Sequence, residues 1–190
     1  MQKRADDVAA TRQRIVEAAV RLHGTVGPAA TTVSALAEEA GVTRLTVYRH
    51  FDDELALFTA CSQHWAMSQT FPDPGAWQGV EEDQQRVRIG LTDLYRFYRE
   101  AEPMLTNVRR DQAALPEPIR KRTKATEALY SDTLLSAFSL KGHRRTVTRA
   151  LINHAISYWT WHSLCVDNRL RNADAVELMT TAIVRSADNS

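Results

Sequence analysis

Within the twenty residues from Thr32 to Phe51, the sequence sets two short apolar-periodic segments on either side of one glycine, Gly41. That pattern specifies two short helices joined by a tight turn, crossing at a wide angle. The first segment carries Val33, Leu36, Ala37 and Ala40 at helical spacing, and either Thr31 or Thr32 can cap it. Gly41 accepts the positive φ that the turn demands. Thr43 caps the second segment, whose Val47 and Phe51 face inward. Ala37 is small where the helices must approach closely, and Leu36, Val42 and Val47 complete a small core. The face left over carries Arg44, Leu45, Thr46, Tyr48, Arg49 and His50. Arg44, Thr46 and Arg49 are of types that reach base edges or phosphates, and Leu45 suits a thymine methyl. Tyr48 and His50 suit phosphate oxygens, and the helix start at Thr43 is left free to approach another phosphate. An ordinary helical hairpin with a solvated polar face satisfies the same spacing.

Elsewhere glycine and proline divide the chain into helix-sized pieces, and no strand-like alternation bounded by turns is found. The first helix is expected from about Val8 to His23, ended by Gly24, Gly27 and Pro28. A fourth follows Asp52-Asp53 and runs from Glu54 to about Ser68. Phe71-Pro-Asp-Pro-Gly75 is the clearest break and reads as a loop. Beyond it the periodicity predicts helices over about 81–100, 103–110, 116–138, 144–167 and 172–186. The fold class expected is all-α with about nine helices: a three-helix unit over residues 1–52 and a helical domain over 53–190.

Bulk charge offers no support for a nucleic-acid partner. The formal net charge is +1, and in the first 60 residues seven Lys and Arg face eight Asp and Glu. A basic domain is the usual electrostatic footprint of such proteins, so any DNA contact must rest on local geometry. Cys61 and Cys165 read as free thiols of a reducing compartment. No secretory apolar run opens the chain and no stretch approaches the ~18 apolar residues of a membrane span, so a cytoplasmic protein is expected. His154 and His162 are eight residues apart, too far along a helix to share one ion, and no metal site or cofactor is expected. No phosphate loop, nucleophile motif or paired general acid and base is present, which argues against an enzyme. Arg109-Arg110 and the run Arg120-Lys121-Arg122 with Lys124 read as solvated helix faces.

Thr31-Thr32-Val33, the run Leu36–Thr43, and Thr46-Val47-Tyr48-Arg49-His50-Phe51, with Ile15–Ala19 and Gly27 upstream, resemble the signature of the TetR family over residues 11–58. The resemblance implies a homodimer that sets two recognition helices in successive major grooves of a pseudo-palindromic operator duplex. In that family, positions matching Thr32, Thr43, Tyr48 and His50 commonly hold phosphates, and those matching Arg44, Leu45, Thr46 and Arg49 more often meet bases. It also implies a C-terminal domain that binds a small-molecule effector and releases the operator, as a repressor does. An effector-free regulator is compatible with the same residues. Three positions depart from the pattern. Leu45 stands where glycine, alanine or serine is usual, Glu54 replaces a lysine that commonly approaches phosphate, and His23 replaces a core aromatic.

The C-terminal part is rich in aromatics and in polar groups able to orient a ligand, among them His162, Asn153 and Thr133. The effector candidates are His64, Trp65, Tyr95, Tyr98, Met104, Tyr130, His154, Tyr158 and Trp161, which suit a hydrophobic or aromatic compound. The 144–167 segment is apolar on two sides, one stripe running through Leu151, Tyr158 and Trp161 and another through Ile152, Ile156 and Trp159. In TetR-like proteins the last two helices pair with their symmetry mates in a four-helix bundle. The resemblance therefore makes Ile152, Ile156 and Trp159, with Val176, Met179 and Ile183 of the last helix, the expected dimer interface.

Overall fold

The computed structural model describes residues 2–188, and among these there are eleven α-helices and no strand. Residues 1–70 and 101–121 form one compact unit; residues 71–100 and 122–190 form a second.

The first unit is organised by α1 (Gln2–Thr25), which begins earlier than its apolar stripe because residues 2–10 hold no helix breaker. Ile15, Val16, Ala18 and Ala19 are buried on one face of it. A 3₁₀ turn, Pro28–Ala30, leads to α2 (Val33–Glu39), α3 (Arg44–His50) and α4 (Glu54–Ala66). Two further helices supply the rest: α7 (Glu102–Arg110), which packs on α1, and the start of α8 (Glu117–Leu135). One apolar core joins Ile15, Leu36, Val47 and Phe51 to Phe58 and Cys61 of α4 and to Leu115 and Ile119. The compact unit therefore does not stop at residue 52, where the sequence sets the functional boundary. The α4 side chains and residues 115–119 fill the same core, and cutting them away would expose it.

His23 sits in this core, stacked on Phe58 with ring centroids 4.8 Å apart and Nδ1 3.7 Å from the Cys61 sulfur. Burial lowers the His23 pKa to about 4 and raises that of Cys61 to about 11. The imidazole is thus a neutral, aromatic-like filler of the position.

The second unit contains α5 (Pro74–Gln78), α6 (Asp83–Glu100), the remainder of α8, α9 (Gly142–Ala155), α10 (Tyr158–His162) and α11 (Asn172–Asp188). The last of these packs against α6 and α9. Gly90 allows a close crossing: a Cβ there would lie 2.6 Å from Leu134 Cδ2 and 3.3 Å from the Trp77 ring.

Eleven helices stand against the nine expected, for two reasons. The 71–75 loop gives way at Pro74 to α5, because Asp73 caps Gly75 and Ala76 while Trp77 is buried and donates Nε1–H to Asp93 at 3.1 Å. The predicted 144–167 helix is broken at Ile156–Ser157, where Ser157 is extended. Two buried tyrosines hold the break: Tyr95 donates its hydroxyl to Ala155 O at 2.9 Å, and Tyr98 to Ile156 O at 2.6 Å. Those carbonyls gain side-chain partners where the helix stops supplying them. Downstream the chain is π-helical over Ser163–Asp167, so the two apolar stripes do not continue across the break.

Candidate nucleic-acid interface

The helix-turn-helix is built by two threonine caps and a glycine. Thr32 precedes α2 with extended backbone and accepts the Ala35 N–H at 3.1 Å. Thr43 does the same for α3, accepting the Thr46 N–H at 3.2 Å, and its hydroxyl lies 2.9 Å from that of Thr46. Gly41 has φ +63°, and the Val42 N–H donates to Ala37 O at 2.9 Å to close the turn. α3 buries a single side chain, Val47.

What α3 buries decides what it displays. Arg44, Leu45, Tyr48 and Arg49 are exposed, with Leu45 59% and Tyr48 54% accessible, while Thr46 and His50 are half-buried. Thr32 and Thr43 are exposed beside them. Leu45 and Tyr48 of this seven-residue helix therefore contribute little to the core. Two contacts that the sequence does not signal tie α1 to α2 and to the buried end of α3. The Arg12 guanidinium lies 4.7 Å over the Phe51 ring, and Arg21 pairs with Glu39 of α2 at 2.6 Å.

Residues 15–61 match the model of bacterial regulatory proteins of the tetR family. The match spans α1 from Ile15 to Cys61 of α4, the same stretch that supplies most of the first core. An uncharacterised helix-turn-helix transcriptional regulator of Pseudomonas putida, TtgW, is 35% identical over 94 residues, covering 48% of this chain and 67% of that protein. The chain belongs to the TetR family. Its residues 15–61 carry the family's helix-turn-helix. YerO of Bacillus subtilis, an uncharacterised regulator of the same type, is 23% identical over 93% of this chain, which spans 63% of that relative's length. The fold agrees with a TetR-like regulator from Rhodococcus, at TM-score 0.66 and 18% identity over 96% of this chain and 98% of that one.

In this TetR-family chain all eight DNA-facing candidates lie on or beside α3, except Thr32 at the head of α2. The nine effector candidates are not brought together in that way. His64, Trp65 and Met104 belong to the first unit, where His64 Nδ1 lies 3.3 Å from the Gln13 amide. Tyr95, Tyr98, Tyr130, His154, Tyr158 and Trp161 belong to the second. Of these, Tyr98, Tyr158 and Trp161 form a buried aromatic cluster with centroids 5.5–6.0 Å apart. The hydroxyls of Tyr95 and Tyr98 donate to the Ala155 and Ile156 carbonyls at the helix break, and Trp161 donates Nε1–H to Asn172. Tyr130 rests on Trp77, and His154 is exposed, 3.4 Å from the Thr160 hydroxyl. The hydroxyls of Thr133 and Thr180 are buried in this unit without a hydrogen-bond partner, a cost of about 1–3 kcal/mol each.

The dimer candidates also divide. Ile152, Ile156, Val176 and Ile183 are buried in the core of the second unit, where α11 packs on α6 and α9. Trp159 is 46% exposed and Met179 half-buried, and Val147, Val166 and Leu178 are also exposed.

Among the described residues, no helix is long and apolar enough to cross a membrane.

Proposed function

We propose that the chain is a ligand-responsive repressor acting in the cytoplasm as a homodimer on a pseudo-palindromic operator. The exposed face of α3, which the fold leaves uncovered, carries this reading. Residues 1–52 do the reading, with Arg44, Leu45, Thr46 and Arg49 on base edges and Thr32, Thr43, Tyr48 and His50 on phosphates. Residues 53–190 dimerise and bind a small hydrophobic or aromatic effector. The aromatic cluster of the second unit and the two unpartnered hydroxyls, Thr133 and Thr180, support an uncharged effector with at least one hydrogen-bonding group. Trp159, Met179 and Leu178 offer the apolar surface for the second copy. An effector that binds the two states unequally then shifts the population away from the operator-bound form.

The test is a coupled one. Compounds that raise the melting temperature of the free protein are titrated into its complex with a duplex selected by the protein. Release of that duplex by a stabilising compound is the expected outcome. Stabilising compounds that leave operator affinity untouched would reduce the protein to an effector-independent regulator.

A further inference from the structure

The turn between α1 and α2 is held by the far end of α7 through a set of polar contacts that neither the signature nor the sequence periodicity indicates. A helix leaves its last carbonyls without internal partners. Here Leu22 O is taken by the N–H groups of Val26 and Gly27. The next carbonyls are taken from outside: Asn107 donates its side-chain amide to Gly24 O at 2.9 Å and to Thr25 O at 3.3 Å. Arg110 Nη2 donates to Val26 O at 2.9 Å. Asp111 accepts the Ala29 N–H at 3.1 Å and is held by Arg110 in a two-point pair of 2.8 and 3.0 Å.

The fit is tight and specific in chemistry. Gly27 has φ +93°, and a Cβ there would collide with both the Arg110 guanidinium and the Asp111 carboxylate. Asn107 is buried, and the Asp111 side chain is only 8% exposed. Every donor and acceptor in the turn from Gly24 to Ala29 that these three residues address is backbone, so the contacts fix main-chain position. Four residues after Ala29 the chain enters α2, whose packing on α3 sets the direction of the recognition face.

We infer that Asn107, Arg110 and Asp111 form a latch that positions the helix-turn-helix for specific operator binding. The inference rests on the operator-binding reading above. None of the three needs to touch DNA; they are positioning residues acting through the backbone of the turn.

The sign of one substitution separates this role from simple electrostatics. Asp111→Ala removes a negative charge, and charge alone would strengthen binding to a polyanion at every sequence. Loss of the latch has the opposite effect on the operator only. The experiment compares wild type, Asp111→Ala and the charge-neutral Asn107→Ala on a duplex selected from a random library by the wild-type protein, and on a scrambled duplex, at one salt concentration. The expected result is a roughly tenfold loss of operator affinity per folded molecule in both variants. Scrambled-duplex affinity should stay equal or rise, and the Ala29 amide should exchange faster. Should Asp111→Ala fail to fold, Asp111→Asn serves instead: it keeps an acceptor for the Ala29 N–H but loses the charged pair with Arg110, and a smaller loss of operator affinity in the same direction is expected. Equal or tighter operator binding by folded variants overturns the latch. Failure of the wild type to select any duplex removes the operator reading, and the latch with it.

Discussion

The helices α3 and α10 are both short, and both carry a tyrosine, a histidine and a threonine, yet they dispose of them in opposite ways. α3 buries only Val47 and leaves Arg44, Leu45, Tyr48 and Arg49 at the surface. α10 buries Tyr158, Thr160 and Trp161 and shows solvent little beyond Trp159. In the first case the side chains contribute nothing to the core, so their identity is free to serve a partner. In the second they are the core, and any ligand role must share them with folding. The same residue types therefore carry different information according to what the neighbouring helices have already taken.

Substitutions sharpen this contrast, and the largest effect belongs to α10. Trp161→Ala should cost about 3–5 kcal/mol of stability, read by denaturant unfolding, because it empties a packed site and removes the donor to Asn172 Oδ1. The same truncation at Tyr48 should leave stability within about 0.5 kcal/mol. Comparable losses at both positions would erase the distinction.

The first unit has its own dependence on pH. The unfolded His23 takes a proton near its ordinary value, whereas the folded, buried imidazole resists it down to about 4. Its stabilising contribution is therefore full above about pH 6.5 and is lost as pH falls toward 4, by ~3 kcal/mol. His23→Phe should flatten the stability profile between those limits. An unchanged slope would mean that other groups dominate it.

On the DNA side the effects are smaller and leave the fold alone. Arg49→Ala should weaken specific binding by about 1–3 kcal/mol with an unaltered melting temperature, if it reads a base edge. Unchanged specific affinity removes Arg49 from the reading set. Tyr48→Phe should weaken specific and non-specific binding alike, by about 1 kcal/mol, through loss of one phosphate hydrogen bond. A loss confined to one sequence would make Tyr48 a base contact.

The helix-turn-helix was legible because its determinants lie within twenty residues: Thr32, Gly41, Thr43 and Val47 each act on neighbours in sequence. The break at Ile156 was not, because the hydroxyls that hold it come from Tyr95 and Tyr98, about sixty positions away in a different helix. Nothing in the local periodicity of 144–167 distinguishes a continuous helix from one whose carbonyls are captured from outside. The dimer stripe read from that continuous helix consequently placed Ile152 and Ile156 on a surface that the chain covers itself. The short helix after Asp73 was hidden for the same reason, since the distant Asp93 carboxylate is what fixes Trp77. The turn latch joins positions 82–84 apart in sequence and is equally invisible to spacing.

The proposed function stands on α3 reading a specific operator sequence. It is tested most directly by selecting bound duplexes from a random-sequence library at near-physiological salt, where phosphate contacts alone discriminate nothing. The prediction is recovery of a pseudo-palindrome whose half-sites are separated by a fixed spacing, with enrichment lost in Arg49→Ala. Recovery of no enriched sequence by well-folded protein would contradict it, and would direct attention first to Leu45 and Glu54, the two positions that depart from the family pattern on this face and just beyond it.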